Sequence, residues 1–213
     1  TIDKFIELSS GVYVDQDADA VASSGDRFGF VTHNIHFDSF YTAANLFTVV
    51  PNQDGSQVML SPDLFSEKTQ NLLTKMCEFL HTTGDCYFVD DQNHFANGGA
   101  LFTINRAQVT SKKLGSTAFS YGILPVPNSG ESHEYFCYVA GGNHRPLSFP
   151  SNLKDVENAM TMTEATAYFS RFTLNESNVS LRDAFYYQLA DYRLARSPED
   201  IRMLDIFFDS KTF

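Results

Sequence analysis

The chain has 213 residues, of which 43% are hydrophobic and 14% aromatic, so it can bury a sizeable core in one large or two small domains. Its formal net charge is −11, and nucleic acids and anionic membrane surfaces need a basic patch, so this charge argues against both as partners. Three cysteines without a Cys-x-x-Cys pair give no support for a thiolate metal cluster.

The first half of the chain predicts three helices and two strands from hydrophobic periodicity and breaker residues. The helices are expected over residues 2–10, 38–50 and 61–82, and the strands over 28–31 and 58–60. Ser61 and Pro62 are residue types that favour an N-cap and the first helical position.

The second half predicts four helices and three strands. The helices are expected over residues 90–97, 151–169, 181–195 and 198–208, and the strands over 100–104, 119–124 and 135–140. Because strands alternate with helices, the sequence predicts the α/β class with largely parallel strand pairing.

An acidic segment between the first helix and the first strand has the spacing of a calcium loop. Positions one, three, five, nine and twelve of this loop carry side-chain oxygens, from Asp15, Asp17, Asp19, Ser23 and Asp26. Position seven, Val21, can offer its backbone carbonyl. The segment departs from the ideal at Ala20, where Gly is preferred, and at Asp26, where Glu is usual. Structural Ca²⁺ is favoured as a cofactor, and a solvated acidic turn without metal is the alternative. A strand follows the loop where an EF-hand has a second helix, which argues against a calcium sensor.

Four stretches of sequence, in this order, carry a family resemblance. They are residues 1–8 with the acidic loop and 26–30 (TIDKFIEL and DRFGF), 95–102 (FANGGALF), 119–127 (FSYGILPVP) and 197–208 (SPEDIRMLDIFF). Together they resemble the family 1 extracellular solute-binding proteins, the substrate-binding subunits of carbohydrate ABC importers.

The resemblance implies a periplasmic-binding-protein-like fold, in which two α/β lobes with largely parallel sheets flanked by helices are joined by a hinge. Residues 1–138 would form the second lobe, 139–180 the hinge crossover with a partial return to the first lobe, and 181–213 helices that pack back on the second lobe. The chain begins at Thr1 and not at Met, so we interpret it as part of a longer protein.

The function implied by this resemblance is capture of a sugar or oligosaccharide by hinge closure, without bond chemistry. The implied partner is an ABC permease in the membrane. The parent protein would be extracellular, anchored as a lipoprotein, and monomeric. An extracellular structural or adhesion module with a calcium-stabilised loop is the alternative, and a glycoside hydrolase is a third hypothesis.

Candidate ligand-binding residues are aromatic or carry planar polar groups, which suit the C–H faces and the hydroxyls of sugars. The candidates are Tyr41, Asn105, Arg106, Tyr138, Asn143 and His144. Asn105 and Arg106 follow a predicted strand at the end where open α/β sheets bind ligands, although a surface ion pair is an alternative for Arg106. Tyr41, beside Phe40, could instead pack in the core. Tyr138, Asn143 and His144 could instead form hydrogen bonds with backbone groups of the hinge.

No pattern predicts catalysis. The sequence has no nucleophile elbow, phosphate loop or His-Glu-x-x-His helix. His33 and His36, with Asp38 nearby, have zinc-like spacing, but no third strong ligand is evident. The chain also has no Trp, so any aromatic platform for a sugar must be Tyr or Phe.

Overall fold

The computed structural model describes most of the chain. The described residues are 1–33, 36–89, 93–106, 113–115, 117–130, 134–138, 147–172, 179–181, 183, 184, 186 and 195–212.

Helices and strands alternate along the chain. The helices are α1 (Ile2–Ser9), α2 (Phe37–Ala43), α3 (Glu67–His81), α4 (Asn93–Ala96), α5 (Val156–Phe172) and α6 (Pro198–Asp209). The strands are β1 (Phe28–Thr32), β2 (Val49–Pro51), β3 (Val58–Leu60), β4 (Cys86–Phe88), β5 (Ala100–Thr103), β6 (Cys137–Tyr138) and β7 (Lys211–Thr212). No helix in the described residues is long and apolar enough to cross a membrane.

The central sheet has three parallel strands in the order β4-β1-β5. Phe30 of β1 lies opposite Cys86 of β4 and Phe102 of β5. All five residues of β1 are buried, as expected for the middle strand of a parallel sheet covered by helices. The sheet confirms the predicted α/β class with parallel pairing. β2 and β3 form an antiparallel hairpin, and β6 pairs in parallel with β7.

Phenylalanine rings fill the larger part of the core. The ring of Phe5 in α1 has its centroid 5.0, 5.6, 5.6 and 5.4 Å from those of Phe30, Phe40, Phe79 and Phe102. These contacts bring α1, α2 and α3 against the sheet. Edge-to-face contacts dominate the set, which is the arrangement that the ring quadrupoles favour. Five of the 20 phenylalanines of the sequence therefore pack together in this part of the core.

Gly29 allows α1 to approach β1 closely. A Cβ atom on Gly29 would lie 1.9 Å from the carbonyl oxygen of Ser9, at the last residue of α1. Ser9 is fully buried and Gly29 is buried, so the two backbones cannot move apart without disrupting the packing around them. Glycine is required here because any side chain would collide with a backbone atom.

Two buried carboxylates hold loops to this framework. Asp85, just before β4, accepts hydrogen bonds from the backbone N–H groups of Gly11, Val12 and Tyr13 at 3.0, 3.0 and 3.1 Å. Asp200 in α6 accepts one from the N–H of Ile123 at 2.7 Å. The first anchors the chain after α1, and the second anchors the segment 119–124 to α6.

Several predicted elements differ from the structure. The helix predicted over residues 38–50 is wrong beyond Ala43, because Asn45 adopts a left-handed conformation (φ +57°) and β2 follows. The helix predicted over 61–82 is divided by Ser66, which ends a 3₁₀ turn (Pro62–Phe65) and caps α3 by accepting a hydrogen bond from the Thr69 N–H at 3.2 Å. The strand β4 was not predicted.

The strand predicted over residues 119–124 is wrong, because this segment has no regular structure and one of its N–H groups bonds to Asp200. The helix predicted over 151–169 begins later, at Val156, where Asp155 accepts a hydrogen bond from the Asn158 N–H at 3.0 Å. Residues 139 and 140 of another predicted strand, and most of the helix predicted over 181–195, lie outside the described residues.

Candidate functional site

The candidate ligand site is the edge of the sheet where the three parallel strands end. His33 follows β1 directly, and His36 is the N-cap residue of α2. Asn105 and Arg106 follow β5 on the neighbouring strand. The carboxyl ends of parallel strands are where open α/β sheets place ligands, because helix N-termini and loops converge there.

Charged and titratable groups gather at this edge. The rings of His33 and His36 have centroids 6.1 Å apart. Burial lowers the pKa of the half-buried His36 from 6.5, and the positive charges of His33 and Arg106 act in the same direction, while Asp38 opposes them. The Asp38 Oδ1 atom is buried and accepts no hydrogen bond from the described residues. The edge therefore combines imidazole, guanidinium and carboxylate groups that can bind a polar ligand.

An apolar cavity of about 600 Å³ lies beside β5 and reaches this edge. Its wall includes Asn105, Phe102, Tyr121, Leu124, Leu204 and Phe207. Asn105 is half-buried, and its Oδ1 atom accepts a hydrogen bond from the Arg106 N–H at 2.7 Å. An apolar wall with a few polar groups at one end is the usual composition of a small-molecule site.

The acidic loop brings three of its six predicted ligands together. One carboxylate oxygen from each of Asp15, Asp17 and Asp19 lies within 4.8 Å of the others, and no other such His, Cys, Asp or Glu group occurs among the described residues. Ala18 and Ala20 have positive φ angles of 57° and 60°, which curl the loop. The Asp15 Oδ1 atom is buried and accepts no hydrogen bond from the described residues, so it can accept a cation.

Asp26 closes the acidic loop through hydrogen bonds. It is 1% exposed and accepts hydrogen bonds from the N–H groups of Gln16 at 3.0 Å and Ser23 at 2.9 Å, and from the Tyr13 hydroxyl at 3.4 Å. Partial desolvation raises the pKa of Asp17, and the negative charges of Asp19 and Asp26 act in the same direction, while the hydrogen bond from the Asp19 N–H opposes them. A bound cation would relieve this repulsion. The ligand roles of Val21, Ser23 and Asp26 stay predictions.

Comparisons with known proteins give one structural relative. No family model matches the chain, and no curated protein matches its sequence. A solved structure matches: the maltose/maltodextrin-binding domain MalE from Bdellovibrio bacteriovorus, bound to maltotriose, at 15% identity and a TM-score of 0.55. The match covers 98% of this chain and 53% of that chain.

The chain has the fold of a periplasmic-binding-protein-like lobe. At 15% identity the likeness shows the fold alone, and the chain spans about half the length of the protein that it matches.

Within this lobe, the predicted ligand residues have different positions. Asn105 and Arg106 lie at the carboxyl edge of the sheet, as predicted, with Arg106 exposed. Tyr41 is buried in the core, where its hydroxyl oxygen lies 3.5 Å from that of Thr69, which matches the core-packing alternative. The backbone of Tyr138 lies in β6.

The side chain of Tyr138, and all of Asn143 and His144, lie outside the described residues of the lobe, so their ligand roles stay predictions. The grouping of Arg106 with His33, His36 and Asp38 was missed in the sequence, where the histidines were considered only as zinc ligands. The signal for it is that His33 and Arg106 both follow strands that pair in parallel.

Proposed function

We propose that this chain is part of a carbohydrate-binding solute-binding protein of an ABC importer. The observation that carries the proposal is the fold, which matches a sugar-bound protein over almost the whole chain. The polar groups at the carboxyl edge of the sheet support it, because that is where a ligand of such a fold would contact this lobe.

In the proposed mechanism, Asn105 and Arg106 donate hydrogen bonds to adjacent sugar hydroxyls. Both carry planar polar groups, and the Arg guanidinium can bind two acceptors at once. Phenylalanine and tyrosine rings of the apolar wall would face the C–H surfaces of the sugar. A second lobe would close over the ligand about a hinge, and a membrane permease would bind the closed form. Secretion and lipid anchoring of the parent protein belong to the same proposal.

The proposal is tested by calorimetric titration of the chain, and of the longest polypeptide that its gene encodes, with maltotriose and a panel of other sugars. We expect saturable heat with at least one sugar. The Asn105→Ala and Arg106→Ala variants should bind it about tenfold more weakly, since each loses hydrogen bonds worth about 1.5 kcal/mol. Lys154→Ala, exposed near the start of α5, is the matched control.

Absence of heat with every mono- and oligosaccharide would contradict the transport proposal. Formation of shorter sugars during the titration would instead support the glycoside hydrolase hypothesis. The solved structure that this chain matches is described as a maltose/maltodextrin-binding domain, so we place sugar binding ahead of the hydrolase hypothesis.

We also propose that the acidic loop binds Ca²⁺ as a structural ion. The clustered carboxylates of Asp15, Asp17 and Asp19 and the buried Asp15 oxygen support this role. Millimolar Ca²⁺ should raise the melting temperature relative to excess EDTA, because a ligand that binds only the folded state stabilises it. Asp17→Asn should reduce the increase, whereas Asp54→Asn in a distant turn should not. Equal melting temperatures in Ca²⁺ and EDTA would contradict the proposal. Calcium binding without sugar binding would favour the structural or adhesion module.

A further inference from the structure

The apolar cavity beside β5 extends from the ligand edge along the whole strand. Its wall includes Ala100, the first residue of β5, and Asn105, which lies just beyond the end of the strand. Because each strand residue rises about 3.3 Å, Ala100 and Thr103 alone are roughly 10 Å apart. A cavity of this length and of about 600 Å³ has room for an elongated group attached to a ligand at the edge.

The wall of this cavity has few polar side chains. They are those of Arg27, Thr103, Asn105, Ser120 and Tyr121, and the Tyr121 hydroxyl oxygen is itself buried. A sugar residue has hydroxyl groups around most of its ring, and burying them without hydrogen-bond partners disfavours binding. A group that fills the cavity is therefore apolar over most of its surface.

Large apolar side chains on the same wall are open to solvent. Leu101 is 42% exposed, Phe119 36% and Leu124 69%. Exposed apolar side chains that gather around a concave surface are typical of ligand-binding grooves. Covering them with an apolar group removes their surface from water, which favours binding.

Both sides of the cavity are held in place by contacts within the chain. On one side, β5 pairs in parallel with β1. On the other side, the N–H of Ile123 donates a hydrogen bond of 2.7 Å to Asp200 in α6. The same helix contributes Leu204 and Phe207 to the wall. Because the cavity is already formed, little free energy is lost in ordering it when a ligand enters.

We propose that the ligand of this chain is a glycoside whose aglycone is an apolar chain. The sugar lies at the carboxyl edge of the sheet, and the apolar chain lies in the cavity along β5, against Phe102, Leu124 and Phe207. Asn105 joins the two parts of the site, because it lies both at the edge and on the cavity wall. This inference rests on the proposed sugar binding and narrows its ligand class.

Calorimetric titration with paired glycosides tests the inference. The probes are the methyl and hexyl glycosides of glucose and of maltose, used below the concentrations at which the hexyl compounds form micelles. The proteins are the 213-residue chain and the longest polypeptide that its gene encodes. For at least one sugar, the hexyl glycoside should bind about 30-fold or more tightly than the methyl glycoside, because five additional methylene groups leave water. Ordering of the hexyl chain offsets only part of this gain.

A charge at the mouth of the cavity should reduce the gain. In the Leu124→Asp variant, the hexyl-to-methyl affinity ratio should fall by about tenfold, because a hydrated carboxylate then lies beside the apolar chain. Leu147→Asp is the matched control, since Leu147 is 67% exposed and does not line the cavity. This control should keep the ratio of the wild-type protein.

Equal affinities for the methyl and hexyl glycosides would overturn this inference and leave sugar binding intact, as would heat with a free sugar but with neither hexyl glycoside. No heat with any sugar or glycoside would overturn both proposals. A ratio that is unchanged in Leu124→Asp would place the hexyl group elsewhere and overturn the inference. A gain that is lost in the longer polypeptide would assign the cavity to another segment of the parent protein, with the same consequence. If Leu124→Asp fails to fold, the wild-type affinity ratio remains the deciding measurement.

Discussion

Replacing Asp85 with Ala tests the anchoring of the chain after α1. The carboxylate of Asp85 is 5% exposed and accepts three hydrogen bonds from the N–H groups of Gly11, Val12 and Tyr13, at 3.0–3.1 Å. A hydrogen bond to a charged group contributes about 1.5–3 kcal/mol, and bonds that share one acceptor are not additive. We therefore expect the free energy of unfolding to fall by about 3–4 kcal/mol.

The effect of Asp85→Ala is measured by urea unfolding followed by circular dichroism. Asp85→Asn should lower the free energy of unfolding by less, because its remaining oxygen can still accept the hydrogen bonds from the Val12 and Tyr13 N–H groups, which both go to Oδ1. At about 2–4 °C for each kcal/mol in a chain of this size, Asp85→Ala should lower the melting temperature by roughly 6–16 °C. Asp209→Asn, at an exposed position, should stay within about 0.5 kcal/mol of wild type. A loss below about 1 kcal/mol for Asp85→Ala would refute the anchoring role.

Three further predictions concern other contacts. Asp200→Ala should lower the free energy of unfolding by about 2–3 kcal/mol and increase proteolysis near Ile123, whose N–H loses its acceptor; unchanged proteolysis there would contradict it. Burial holds the pKa of His36 below 6.5, so the unfolded state binds more protons, and the free energy of unfolding falls as the pH drops from 7 through 6.5 to the folded pKa. His36→Gln should flatten this pH dependence in urea titrations, and an unchanged slope would exclude His36 as its source. Gly29→Ala should lower the free energy of unfolding by more than about 3 kcal/mol, because the added Cβ would lie 1.9 Å from the Ser9 carbonyl oxygen. An unchanged free energy of unfolding would show that α1 can move away from β1.

Elements with strong local signals were predictable from the sequence. The helices α1 and α6 and the strands β1 and β5 lie where hydrophobic periodicity and cap residues place them. Ser197, for example, accepts a hydrogen bond from the Asp200 N–H at 3.2 Å and begins α6. The hairpin strand β3 was predicted with its observed bounds.

Elements that depend on distant partners were not predictable in the same way. β4 has three residues, and its strand conformation comes from pairing with β1, more than fifty residues earlier in the chain. The segment 119–124 has strand-like composition, but the carboxylate of Asp200, 77 residues away, binds one of its N–H groups. Local sequence patterns contain no information about either contact.

The candidate sites show the same division. Asn105 and Arg106 were predictable because they follow a strand, whereas the proximity of Arg106 to His36 depends on the pairing of β1 with β5. The clustering of Asp15 and Asp17 follows from loop spacing. The hydrogen bonds that the buried Asp26 accepts come from backbone N–H groups of the folded loop, and no spacing rule predicts them.

The most direct test of the central claim is a map of backbone amide shifts in NMR spectra of the chain, recorded with maltotriose or with any sugar that gives heat. We expect saturable shifts at the carboxyl edge of the sheet, around His33 and over residues 104–106, and not at β3 or α5. Loss of these shifts in the Arg106→Ala variant would agree with a ligand at that edge. Shifts confined to other surfaces, or no shifts with any sugar, would contradict sugar binding at this site.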